Sequence, residues 1–149
     1  MPRPGLILVL ALALFAAGCG GGGSDAEETT GPEGSTTGQA ILTQAGLEGC
    51  SQSQSTGVGF VGSGLVQSVS YVVAPSCDEK PAVPTTVTAL TYNTQDTASQ
   101  AAAAAQKAQP NAVVITPTVA PYTTTVLVVS GPKAEEYAAD IEGALPKGS

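Results

Sequence analysis

Histidine and tryptophan are absent from the 149-residue chain, and aromatic residues make up only 4% of it. Without histidine, the side chain that most often serves as general base or metal ligand near neutral pH is missing. Catalysis would have to rest on carboxylates, Lys, Tyr or Cys. Basic residues are scarce as well: 5 Lys and Arg stand against 12 Asp and Glu, for a net charge of −7. No cluster of positive charge is available to neutralise phosphates, which argues against nucleic acid and anionic lipid surfaces as partners. No Cys-x-x-Cys pair and no Gly-x-Ser-x-Gly elbow occurs, so redox and serine-hydrolase chemistry lack their usual sequence signatures. We therefore expect no enzymatic activity and no cofactor.

What the chain does have is small and apolar: 42% hydrophobic residues, 18 Gly and 11 Pro. The N-terminus carries one positive charge, Arg3, followed by the unbroken apolar run Leu6 to Ala17 (LILVLALALFAA). That run is short for a membrane span and has the length of an export-signal core. It closes on Ala16-Ala17-Gly18-Cys19. This tetrapeptide resembles the lipobox of bacterial lipoproteins, with Ala16 standing where Leu is commoner. The resemblance covers the first 19 residues or so and implies location, not activity. It implies a signal peptide over 1–18, cleavage before Cys19, lipidation of the Cys19 thiol, and an extracytoplasmic protein anchored to the cell membrane. Residues 19–36 follow as lipidated cysteine and tether: Gly20 to Gly23 and Ser24 are flexible, and the acidic stretch Asp25 to Glu33 has little to bury.

Residues 37–149 read as one small α+β domain. Thr36 and Gln39 have capping-box spacing, and Ala40, Ile41 and Ala45 continue a short first helix that Gly46 ends. Leu65 to Val73 and Thr85 to Tyr92 are β-branched runs and predict strands. Thr97 and Gln100 offer a second capping box, for a helix to Ala108 whose apolar positions are all Ala. Ala112 to Thr116 and Thr123 to Val129 predict a hairpin. Gly131-Pro132 opens a last helix with an apolar stripe of Ala134, Tyr137, Ala138, Ile141 and Leu145. This order suggests a mostly antiparallel four-stranded sheet with helices on one face. Its ββαββα portion is compatible with a ferredoxin-like closure, with an extra N-terminal helix.

Several residues are candidates for function. In an exported chain, Cys50 and Cys77 most economically form a disulfide, since neither has a histidine or a second cysteine at redox spacing. Gly57-Val58-Gly59-Phe60-Val61-Gly62 satisfies G-x-G-x-x-G, yet Ser and Gln precede it where a dinucleotide site needs a hydrophobic strand. The segment Ser51 to Gly64 reads instead as a Gly-loosened strand or loop. Asp78-Glu79 lacks the alternating oxygen ligands of a calcium loop, so no metal is expected there. Glu135, Glu136 and Asp140 belong to the solvated side of the last helix. Phe60 in the Gly/Ser-rich loop and Tyr122 between the last two strands are the residues expected to face a partner. The resulting expectation is a lipid-anchored binding or adaptor module of the cell envelope, joined to the membrane through Cys19. Two alternatives are a small-ligand sensor or carrier, with a pocket between the sheet and the Ala-faced helix, and a structural envelope lipoprotein.

Overall fold

The structure, a computed structural model, describes residues 33–54 and 62–148. The segment read as a signal peptide, the lipobox residue Cys19 and the loop residue Phe60 lie outside the described residues. Elements follow in the order α1 (Glu33–Gln44), β1 (Glu48–Gln54), β2 (Leu65–Ala74), β3 (Thr85–Tyr92), α2 (Gln95–Ala108), β4 (Val113–Ile115), β5 (Thr125–Ser130) and α3 (Ala134–Ala144). The protein is α+β: the described residues form one antiparallel sheet of five strands, in the order β1-β2-β3-β5-β4, with three helices.

Each strand forms for a readable reason except one. The β-branched β2 and β3 pair in regular register from Gln67 to Val73, past an irregularity between Leu65 and Gln67, with Val69 opposite Ala89 and Tyr71 opposite Val87. β5 is buried throughout its first five residues, Thr125 to Val129, because its side chains are covered on both faces of the sheet. β1 is the exception. Its sequence, EGCSQSQ, has no apolar periodicity and most of it is exposed, so the segment expected as a loosened strand or loop supplies a fifth strand. What orders it is the backbone ladder to β2, from Glu48 opposite Ala74 to Gln54 opposite Val69, and not side-chain burial.

Alternation along the strands divides the core. Val69, Tyr71, Val73, Val87, Ala89, Leu127 and Val129 pack under Ile41 and Leu42 of α1 and Tyr137, Ala138 and Ile141 of α3. Leu90, Tyr92, Val126 and Val128 point the other way, against Ala98, Ala101 and Ala105 of α2. The helices therefore do not share one face. β3 and β5 are apolar on both sides, and each side requires cover. β3 and β4 both run antiparallel to β5 and are joined through α2, a split βαβ crossover of the kind found in ferredoxin-like arrangements.

Helix ends differ from the sequence reading by a few residues. α1 begins at Glu33, so Thr36 lies within its first turn and is not its cap. Its C-terminus is a Schellman motif: Leu47 N–H donates to Leu42 O, Gly46 N–H donates to Thr43 O, and Gly46 takes φ +72°. For α2 the cap is Thr94, whose Oγ1 accepts the Thr97 N–H at 3.2 Å, and not Thr97 itself. α3 starts at Ala134 with Lys133 at the cap position, and Gly131 turns the preceding loop with φ +121°. A side chain at Gly131 would meet Pro84 O and Thr85 Cα at 2.8 Å, so the close approach of this loop to β3 requires glycine.

Candidate functional site

The outer edge of β1 and the sheet face beside it form the most distinctive polar surface. α2 covers β3, β5 and β4 on its side of the sheet. No described helix covers the same face of β1 and β2. The register aligns two rows of side chains there: Ser53, Ser70 and Thr88 in one, and Ser51, Val72, Thr86 and Ser130 in the other. Neighbouring hydroxyls bond to one another, Ser70 Oγ with Thr88 Oγ1 at 2.9 Å and Thr86 Oγ1 with Ser130 Oγ at 3.1 Å. Such cross-strand pairs rigidify the face; Thr88 is buried, and Ser70, Thr86 and Ser130 are half-buried.

None of these hydroxyls is built as a nucleophile. Ser130 and Lys133 have the Ser-x-x-Lys spacing of a serine with a lysine base, a coincidence the sequence reading missed. The chain leaves the strand between them. Ser130 meets Thr86, whereas the Lys133 ammonium lies 3.7 Å from Glu136 and 5.6 Å from the centre of the Tyr137 ring.

The sequence-expected disulfide is present. Cys50 and Cys77 are bonded with their Cα atoms 5.1 Å apart. The register of β1 on β2 shifts between Gly49 and Ser51, so Cys50 sits on a bulge that turns its side chain toward the loop after β2. Glu48 Oε2 accepts the Cys77 N–H at 2.9 Å and holds the same loop. Donor atoms of Glu48, Cys50 and Cys77 lie within 4.8 Å of one another. With both sulfurs joined, the group offers a cation a single carboxylate, well short of a metal-ligand set. Beside it opens a shallow cleft of about 520 Å³ between α1 and the start of β1, lined by Gln39, Thr43, Leu47, Glu48 and Pro75.

The tyrosines divide as burial dictates. Tyr71, Tyr92 and Tyr137 are buried. Burial pushes the Tyr92 phenol above its ordinary pKa. Tyr122, expected to face a partner, is half-buried against the α1 and α3 core, and its hydroxyl accepts a hydrogen bond from Gln44 Nε2 at 3.4 Å. The structure thus gives that ring a packing role. The Ala-faced helix leaves no room for the pocket expected beneath it, because Ala98, Ala101 and Ala105 are 0%, 2% and 0% exposed against the strands. Sequence reasoning missed the hydroxyl rows because Thr86, Thr88 and Ser70 become one surface only through register. The alternation of Thr with apolar residues in β3 was the available signal. Among the described residues no helix is long and apolar enough to cross a membrane. In comparisons with protein-family models, curated proteins and solved structures, the chain matches none.

Proposed function

We propose that the protein is a lipid-anchored, extracytoplasmic, non-catalytic binding module that engages another protein of the cell envelope along the outer edge of β1. The observation that carries this reading is the contrast between the two edges of the sheet. β4 is three residues long and is followed closely by Pro117, the usual protection against edge pairing. β1 is seven residues long, and beyond the bulge at Cys50 its Ser51-Gln52-Ser53-Gln54 run is exposed and contains neither Pro nor Lys. An extended segment of a partner can add to such an edge by main-chain hydrogen bonds. The Cys50–Cys77 bridge supports an oxidising compartment, where disulfides persist. The absence of histidine and the pairing of the hydroxyls with each other support binding over catalysis.

Two experiments test the reading. A photoreactive amino acid placed at Gln52 or Ser53 in intact cells is expected to capture one protein reproducibly, identified by mass spectrometry. The same group at Gln100, on the exposed side of α2, serves as control. Capture patterns that do not differ between β1 and the control would remove the edge as the contact. Independently, Cys19→Ala is expected to move the protein from the membrane to the soluble fraction of lysed cells. Unchanged membrane retention would refute the anchor.

A further inference from the structure

One cavity differs from the open clefts in being largely enclosed. It has a volume of about 130 Å³ and lies at the end of the sheet where β2 leaves and β3 enters. Val73 and Ala74 form its floor, and Pro81, Pro132 and the buried Tyr137 its walls. Val83 closes one side, although it is 62% exposed and, among the described residues, one of two large hydrophobic residues so placed. The remaining lining residues include one of each charge, Glu79 and Lys133.

The two charges both line the cavity and are not paired with each other. Among the described residues the single ion pair is Lys133 with Glu136, at 3.7 Å between side chains 51% and 61% exposed, so Glu79 has none. An exposed pair of that kind is weak and yields readily to a better partner. Lys133 is fixed at the cavity from two directions. Its N–H donates to the buried Thr85 Oγ1 at 3.2 Å, and its ammonium lies over the Tyr137 ring, itself a cavity wall. The tight turn at Gly131 against Pro84 and Thr85 sets this approach.

From this combination we infer that the cavity is a binding site for a small zwitterion with a short branched aliphatic group, the chemistry of an aliphatic α-amino acid. The apolar group enters between Val73, Ala74 and Tyr137, its carboxylate meets Lys133, and its ammonium meets Glu79. The size is appropriate: a cavity of roughly 150 Å³ accepts a molecule as large as benzene, and a four-carbon side chain is smaller. Val83 then covers apolar ligand surface where it is now bare to water. This site goes beyond the β1-edge reading and does not depend on it.

Calorimetric titration of the detergent-solubilised full chain tests the assignment with L-leucine as the probe. 4-Methylpentanoate and isoamylamine, which are L-leucine without its ammonium and without its carboxylate, are the comparison. L-leucine is expected to bind saturably at one site per chain, with each single-charge analogue at least about tenfold weaker, since a hydrogen bond to a charged group contributes on that order. Lys133→Ala and Glu79→Gln are each expected to weaken L-leucine by about tenfold. Both side chains are exposed, so the melting temperature without ligand is expected to stay unchanged, which separates lost binding from lost folding. Absence of saturable heat with L-leucine, equal affinity for the analogues, or affinity indifferent to both substitutions would each overturn the proposal.

Discussion

Replacing Cys50 and Cys77 together by alanine is expected to lower the unfolding free energy by about 3–4 kcal/mol, read from the denaturant midpoint of the two proteins at equal slope. The estimate comes from a bridge that closes a loop across a sequence separation of 27 residues, and whose loss returns conformational freedom to the unfolded chain. The folded state adds a local reason to expect a large effect. β1 buries none of its side chains fully, so it contributes little hydrophobic stabilisation of its own. Its attachment rests on the ladder to β2, the bridge from Cys50, and the hydrogen bond from Cys77 N–H to Glu48. Without the bridge, amide exchange is expected to accelerate first over Glu48–Gln54, ahead of the buried strands β3 and β5. A stability loss under about 1 kcal/mol, or uniform acceleration across the sheet, would show that β1 is held by something else. If the partner adds to the edge of β1, the same variant is also expected to lose crosslinking at Gln52 and Ser53.

Gly38→Ala and Gly143→Ala are expected to change stability in opposite directions, although both place alanine in a helix. Intrinsic propensity favours alanine over glycine by about 1 kcal/mol at either site. At Gly143 of α3 an added Cβ meets nothing within 4 Å, so that gain is realised and stability rises by roughly 0.5–1 kcal/mol. At Gly38 of α1 the added Cβ lies 2.9 Å from Tyr71 Cε2 and 3.0 Å from both Tyr71 OH and Ala89 Cβ. The ring has nowhere to retreat. Tyr71 is 1% exposed, and on its other side an added Cβ at Gly49 would stand 3.1 Å from Tyr71 Cδ1. Two glycines on different elements thus form the slot that admits Tyr71, the largest fully buried side chain. Overpacking of this kind costs about 1–3 kcal/mol beyond the helix-propensity gain, so thermal unfolding of the Gly38→Ala protein is expected several degrees lower. Combining Gly38→Ala with Tyr71→Leu is expected to cost less than the sum of the two single changes, because the second makes room for the first. Strict additivity, or a stabilising Gly38→Ala, would contradict the slot.

The contrast between those two glycines shows where sequence reading stops. Both are helical glycines with polar or small neighbours in the chain, and nothing local distinguishes them. Only packing places Tyr71 across from one and open space across from the other. The same holds for the cavity. Glu79 and Lys133 are far apart in sequence, and Pro81 and Pro132 signal turns wherever they occur. That these turns meet over Val73 and Tyr137 follows from β2, β3 and β5 being adjacent.

Local chemistry alone determined that Leu65–Ala74 and Thr85–Tyr92 are strands, since β-branched runs bounded by proline or polar turns have few other stable conformations. It determined the stripe of Ala134, Tyr137, Ala138 and Ile141 on α3, because helical period and apolar spacing coincide there. The pairing of Cys50 with Cys77 was equally legible, from cysteine number and the export-signal resemblance. Tertiary structure alone decided that β1 is a strand, because its order comes from a backbone ladder to β2 that its own side chains do not encode. It also decided which face α2 covers. A helix whose contact surface is only alanine fits either side of a sheet, and the choice was made by Leu90, Tyr92, Val126 and Val128, which project away from α1 and α3 and need cover of their own. Periodicity records which side chains must be buried, whereas the partner that buries them is a property of the assembled sheet.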